Sequence, residues 1–227
     1  MKFASASRAF ANLVTFTWPI AVALVYPCRA GELIVTVVDR SGRPVAEVAA
    51  TVGSVRPTSA LPASSGATAI MDQRDLAFVP QMLVVAVGTK VEFPNNDSVS
   101  HQVYSFSAAK KFQLSLYKGA PHPPVTFDKA GLVVVGCNIH DQMAGYIYVT
   151  DVPFFGKTDS RGVLHLAQIP AGDYRLTLWS PFISDPADTL TRIVQIGEHG
   201  AASTHVQLIR DQRSRPEPQP RRADWEY

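Results

Sequence analysis

The stretch Cys137-Asn138-Ile139-His140-Asp141-Gln142-Met143 constrains this chain more than any other. It sets a thiol, an imidazole and a thioether close together, directly after the apolar run Leu132-Val133-Val134-Val135-Gly136, which reads as a β-strand. A second imidazole, His101, follows the segment Phe93-Pro94-Asn95-Asn96-Asp97-Ser98-Val99-Ser100. One thiolate, two imidazoles and a weak thioether form the ligand set of a trigonal copper site with a distant axial sulfur. Three donors on one short loop between rigid strands are fixed at little cost, and the fourth, His101, arrives from another strand or loop. The expected metal ligands are therefore His101, Cys137, His140 and Met143.

Other chemistries fit these residues less well. Structural zinc takes four ligands, commonly with two or more cysteines, and a thioether suits it poorly. A Cys-His nucleophile needs an imidazole oriented by a third group, and no such residue accompanies His140. A thiol-disulfide cycle lacks a resolving cysteine near Cys137. Taken singly, His101 reads as a loop residue and Met143 as a core filler; their joint spacing is what argues for a site. His122, in a Pro-rich loop, has no partner pattern, and His165, His199 and His205 match no ligand spacing.

The His…Cys-x2-His-x2-Met pattern resembles the cupredoxin (blue copper) family, in its amicyanin/plastocyanin-like form. Phe78-x-Pro80 and the segment Leu83 to Asn95, with Gly88-Thr89-Lys90-Val91-Glu92-Phe93, are similar to the strand, glycine turn and strand that lead to the family's first copper histidine. The resemblance covers roughly residues 68–152, and the cupredoxin-like domain is expected at 67–152. It implies a Greek-key β-sandwich, one mononuclear type 1 copper and one-electron transfer with redox donor and acceptor proteins. Two positions depart from the family: Gln102 stands where Asn often follows the first histidine, and Ile139 where Pro often precedes the second. Gly136 also replaces an aromatic side chain that plastocyanin carries before its cysteine.

The N-terminus supplies the compartment. Lys2 and Arg8 precede the apolar run Leu13 to Tyr26, and Cys28-Arg29-Ala30 follows, which reads as an export signal over residues 1–30. The run is broken by Pro19 and falls below the roughly 20 residues that span a bilayer, so no membrane span is expected after cleavage. The chain has two cysteines; cleavage removes Cys28 and leaves Cys137 alone in an oxidising compartment, where a lone thiol is best explained as a ligand. A periplasmic or secreted location follows. The net charge of +2 is uninformative, and no basic stripe with interleaved aromatics argues for nucleic acid.

Seventeen Pro and 14 Gly between short Val-rich runs predict an all-β chain. Glu32 to Asp39 reads as a strand, Arg40 to Pro44 as a turn and Val45 to Val52 as the returning strand, with a Ser/Pro/Ala/Gly-rich linker at 53–66. Beyond Asp151, Thr158-Asp159-x-x-Gly162 and Ile169-Pro170-Ala171-Gly172-x-Tyr174-x-Leu176 resemble the carboxypeptidase-regulatory or transthyretin-like β-sandwich, and Val37 to Val45 is similar to its first hairpin. The expected organisation is that sandwich at 31–66 and 153–210, with the cupredoxin-like domain inserted in it, or the two in sequence. The Arg- and Pro-rich residues 211–227 read as a disordered tail.

These observations predict an exported copper protein with no enzymatic activity. A copper-binding or copper-handling role and an envelope interaction module with a structural metal remain as alternatives. Some relatives of this kind carry a methylamine-utilisation label; nothing in the residues points to an amine.

Overall fold

A computed structural model of the chain describes residues 30–56, 66–119 and 122–213. The expected export signal, most of the linker and nearly all of the C-terminal tail lie outside these residues. Every described element is a β-strand, as the composition predicts, and no helix among the described residues is long and apolar enough to cross a membrane.

In chain order the strands are β1 (Ala30–Val38), β2 (Ala49–Ser54), β3 (Thr68–Ile70), β4 (Asp72–Arg74), β5 (Ala77–Val79), β6 (Met82–Ala86), β7 (Thr89–Glu92), β8 (His101–Ser107) and β9 (Lys110–Tyr117). They continue as β10 (Val125–Phe127), β11 (Gly131–Cys137), β12 (His140–Thr150), β13 (Phe154–Lys157), β14 (Val163–Pro170), β15 (Gly172–Trp179), β16 (Thr191–Ile196) and β17 (Ala201–Gln207). The first two strands pair only with the last five: the sheets run β14-β1-β17 and β13-β2-β15-β16. Between these sheets lies one apolar cluster, drawn from residues 33–52 and 169–208 and including Leu33, Val35, Val52, Leu176 and Val206. The intervening strands form the sheets β6-β12-β11-β8-β9 and β10-β7-β3, with the hairpin β4-β5 alongside. They enclose a second cluster that contains Phe78, Val91, Val103, Phe127, Val133 and Ile147.

Alternation of side chains decides which residues face this second core, since successive residues of a strand point to opposite faces. On β11, Val133, Val135 and Cys137 are buried while Val134 is exposed; on β8, His101, Val103 and Ser105 are buried. On β12, Met143, Gly145, Ile147 and Val149 face inward. Full burial of a Val or Ile side chain stabilises by about 1.5–3 kcal/mol, so the registers of β8, β11 and β12 are held by apolar neighbours of His101, Cys137 and Met143. The opposite face of β12 carries Tyr146 and Tyr148, whose rings meet Trp179 of the other unit at 6.3 and 5.6 Å between centroids.

Two sequence expectations are corrected. Val45 to Val48 is not part of the returning strand, because Glu47 has φ of 60° and turns the chain. There the buried Thr158 hydroxyl donates to the Val45 carbonyl and accepts from the Val48 N–H at 2.8 and 3.1 Å, replacing ladder bonds. The ligand loop is also tighter than expected: β12 begins at His140 itself, and only Asn138 and Ile139 separate it from β11.

Candidate metal centre

The site forms where β11 turns into β12. Gly136 pairs with Ala144 and Cys137 with His140, so residues 141–143 are extra on the β12 side. Such a bulge re-aims side chains that simple alternation would separate. Here it leaves both His140 beside the Cys137 thiol and Met143 inside the core. His101 enters from β8, next to β11 in the same sheet, at the first inward position of its strand.

Three of the four expected residues come together at one point. The Nδ1 atoms of His101 and His140 lie 3.1 Å apart, and Cys137 Sγ lies 3.7 Å from the first and 3.5 Å from the second. The centre of that triangle is about 2.0 Å from every corner, close to the usual 2.0–2.3 Å of nitrogen and sulfur bonds to a first-row metal ion. The three donor atoms are therefore spaced closely enough to share a single ion. Among the described residues they form the one group of His, Cys, Asp or Glu side chains close enough to share a metal. His101 is fully buried, Cys137 is 3 % exposed and Met143 2 % exposed. Met143 joins Cys137 in the same apolar cluster, and both line an open cleft of about 370 Å³. His140 is half-buried and Ile139 beside it exposed, so the site approaches the surface at this loop.

The surroundings favour the ligating forms of Cys137 and His140. Burial pushes the Cys137 thiol up, but the His101 contact and hydrogen bonds from the backbone N–H groups of Gln102 and Ile139 outweigh it, and the thiol falls below its usual value. A thiolate is the form that binds metal. His140 is lowered by burial and then by the neighbouring His101, which keeps its ring neutral. His101 is raised: burial lowers it, while Cys137 and Asp97 more than offset that.

A layer of polar residues behind His101 was only partly legible in the sequence. Asn95 braces the ligand segment: its Nδ2 donates to the Val99 and Tyr117 carbonyls at 3.0 and 2.8 Å, and its Oδ1 accepts from Asp97 N–H at 2.9 Å. Asn96 Nδ2 donates to the Asp72 carboxylate at 2.9 Å. Sequence reasoning missed Asp97, whose Oδ2 lies 3.0 Å from His101 Nε2, and the buried Gln73, which donates to the Pro94 carbonyl. The available signal for Asp97 was its position four residues before a ligand candidate. His122 is not at the site; its ring stacks edge-on against Tyr117 at 4.7 Å. His165 pairs with Glu32 in the other unit at 2.9 Å.

No protein-family model matches the chain, and no curated protein matches it. Among solved structures, the chain is similar to a novel purple cupredoxin from Nitrosopumilus maritimus, at 25% identity over 37% of this chain and 99% of that one, with a TM-score of 0.31. It is similar to an amicyanin variant in its reduced Cu(I) form, at 26% identity over 44% of this chain and 98% of that one, with a TM-score of 0.33. A Cu-containing nitrite reductase from Thermus scotoductus SA-01 matches at 27% identity over 42% of this chain and 27% of that one, with a TM-score of 0.33. Each of these matches spans less than half of this chain.

Proposed function

We propose that this chain binds one copper ion through His101 Nδ1, Cys137 Sγ and His140 Nδ1, with the Met143 thioether as a weak fourth ligand, and carries single electrons between protein partners. The observation that carries the reading is the triangle of one sulfur and two imidazole nitrogens with sides of 3.1, 3.5 and 3.7 Å. Copper, when bound, supplies a one-electron couple, and the soft sulfur favours it over zinc. The chain's own residues do the rest. Strands β8, β11 and β12 hold the donors from two sides of the bulge, so that little needs to move between oxidation states. The apolar core excludes water from Cys137, and His140 offers the donor nearest the surface. No substrate is transformed in this reading.

Residues 67–152 act as the copper domain, inserted in a second sandwich built from 31–66 and 153–210, and the chain works in the periplasm or outside the cell. The second sandwich favours one competing reading, copper handling, since a simple shuttle has no need of it. Cycling the copper-loaded protein between ascorbate and ferricyanide separates the two. A carrier completes repeated cycles with its copper retained against a chelator, whereas a delivery protein surrenders the metal on reduction.

A further inference from the structure

The carboxylate of Asp97 and the ring of His101 form a buried pair whose side chains are 4 % and 0 % exposed, with Oδ2 and Nε2 3.0 Å apart. An ionised carboxylate only accepts hydrogen bonds, so the ring nitrogen facing it is the donor. That fixes the proton of the neutral ring on Nε2 and leaves the Nδ1 lone pair aimed at Cys137 and His140. Nothing in the composition of a trigonal site requires a carboxylate here; a backbone carbonyl or a water orients a ligand histidine equally well.

The carboxylate is itself clamped. Oδ2 also accepts the Leu76 N–H at 2.8 Å, and Oδ1 accepts the Ser98 N–H at 2.6 Å. Leu76 and Asp75 form the turn between β4 and β5 with φ of 59° and 48°, a left-handed pair for which Asn-Gly is preferred. This unfavourable turn aims a backbone donor at Asp97 and thereby ties the β4-β5 hairpin to the site.

Resting on the copper reading above, we propose that Asp97 is a positioning residue of the metal centre: it locks His101 in the ligating tautomer, and its negative charge beside the imidazole stabilises the oxidised over the reduced ion. An imidazole that donates to a carboxylate is a more basic ligand, and the higher oxidation state gains more from it.

The test uses the copper-loaded full chain and follows the ratio of oxidised to reduced copper against applied potential. Asp97→Asn keeps an oxygen for His101 and Leu76 while removing the charge. It is expected to lower that ratio about tenfold at fixed potential, an upward shift of about 59 mV for one electron. Asp128→Asn removes an exposed carboxylate paired with Lys110 and is expected to stay within about twofold of wild type, because exposed charges are screened. Asp97→Ala, which removes the acceptor altogether, is expected to cost about 10–100-fold in copper affinity.

A second readout needs no variant. In the copper(I) wild type, the His101 Nε2 proton is expected to exchange with solvent at least tenfold more slowly than that of a free imidazole. A ratio unchanged between Asp97→Asn and Asp128→Asn overturns the proposal, as does an Nε2 proton that exchanges at the free rate. A wild-type protein that takes up no copper overturns both this and the reading beneath it; coloured copper protein insensitive at residue 97 overturns this alone.

Discussion

The ring of Tyr104 lies over Gly136: a Cβ on that glycine would come within 3.1 Å of both Cζ and Oη of the tyrosine. The two residues pair across β8 and β11, and Gly136 directly precedes Cys137. An aromatic ring thus covers the strand next to the thiol, supplied by the neighbouring strand rather than by residue 136 itself.

Enlarging residue 136 therefore displaces Tyr104. Gly136→Val is expected to destabilise the protein by about 1–3 kcal/mol through overpacking, measured by urea unfolding. In a Tyr104→Ala background the same change is expected to cost much less, giving a coupling energy that a double-mutant cycle reads directly. Additive effects would mean that the ring does not constrain residue 136.

Gly162 is constrained by backbone. Its φ is 71°, and a Cβ there would meet Val37 O at 2.5 Å and Val45 N at 2.9 Å. Neither atom can withdraw without breaking the β1 edge, where Val37 N–H donates to Gly162 O and Val45 N–H to Val37 O. Gly162→Ala is expected to cost about 3 kcal/mol, of which left-handed strain contributes roughly 1–2 kcal/mol. An unfolding midpoint equal to wild type would contradict it.

Asp72 gives the fold an acid limit. Burial raises its carboxyl, but hydrogen bonds from Asn96 and Arg74 and from the Gln73 N–H outweigh this, so the group sits below its ordinary 3.8 in the folded protein. A lowered carboxyl contributes stability that is complete above the ordinary value and is lost as pH falls through the folded one. Asp72→Asn is expected to be less stable than wild type at neutral pH. The two urea midpoints are expected to converge as pH drops below 3.8; a gap that stays constant with pH would contradict the assignment.

Met143 separates packing from ligation. Met143→Leu conserves volume and is expected to cost less than about 1.5 kcal/mol, leaving the fold and the copper colour in place. Loss of a weak sulfur donor disfavours the oxidised ion, so the reduction potential is expected to rise by at least about 59 mV, tenfold in the oxidised-to-reduced ratio. An unchanged potential would make Met143 a core residue only.

The parts legible in the sequence are those set by local spacing and period-two alternation. Val133-Val134-Val135 announced β11, the Gly88 turn between β6 and β7 lies where the family resemblance implied it, and Cys137, His140 and His101 lie close together. The bulge opposite Cys137 was not legible, because a three-residue excess on one strand is a property of the pair of strands. Asp97 and Gln73 were missed for a related reason. Their roles depend on a fold that brings the β4 strand under the segment before His101, and an Asp in a loop-like stretch otherwise signals a turn. The start of β2 was misplaced because Glu47 adopts a left-handed conformation that its residue type does not advertise.

The most direct measurement is a titration of the purified chain with Cu(II), followed by visible absorption, alongside Cys137→Ser. One equivalent of copper is expected to give an intense thiolate-to-copper band that saturates at a ratio of about one ion per chain and is absent from the serine variant. A wild-type protein that stays colourless with its fold intact, or a serine variant that colours equally, would contradict a copper centre built on Cys137.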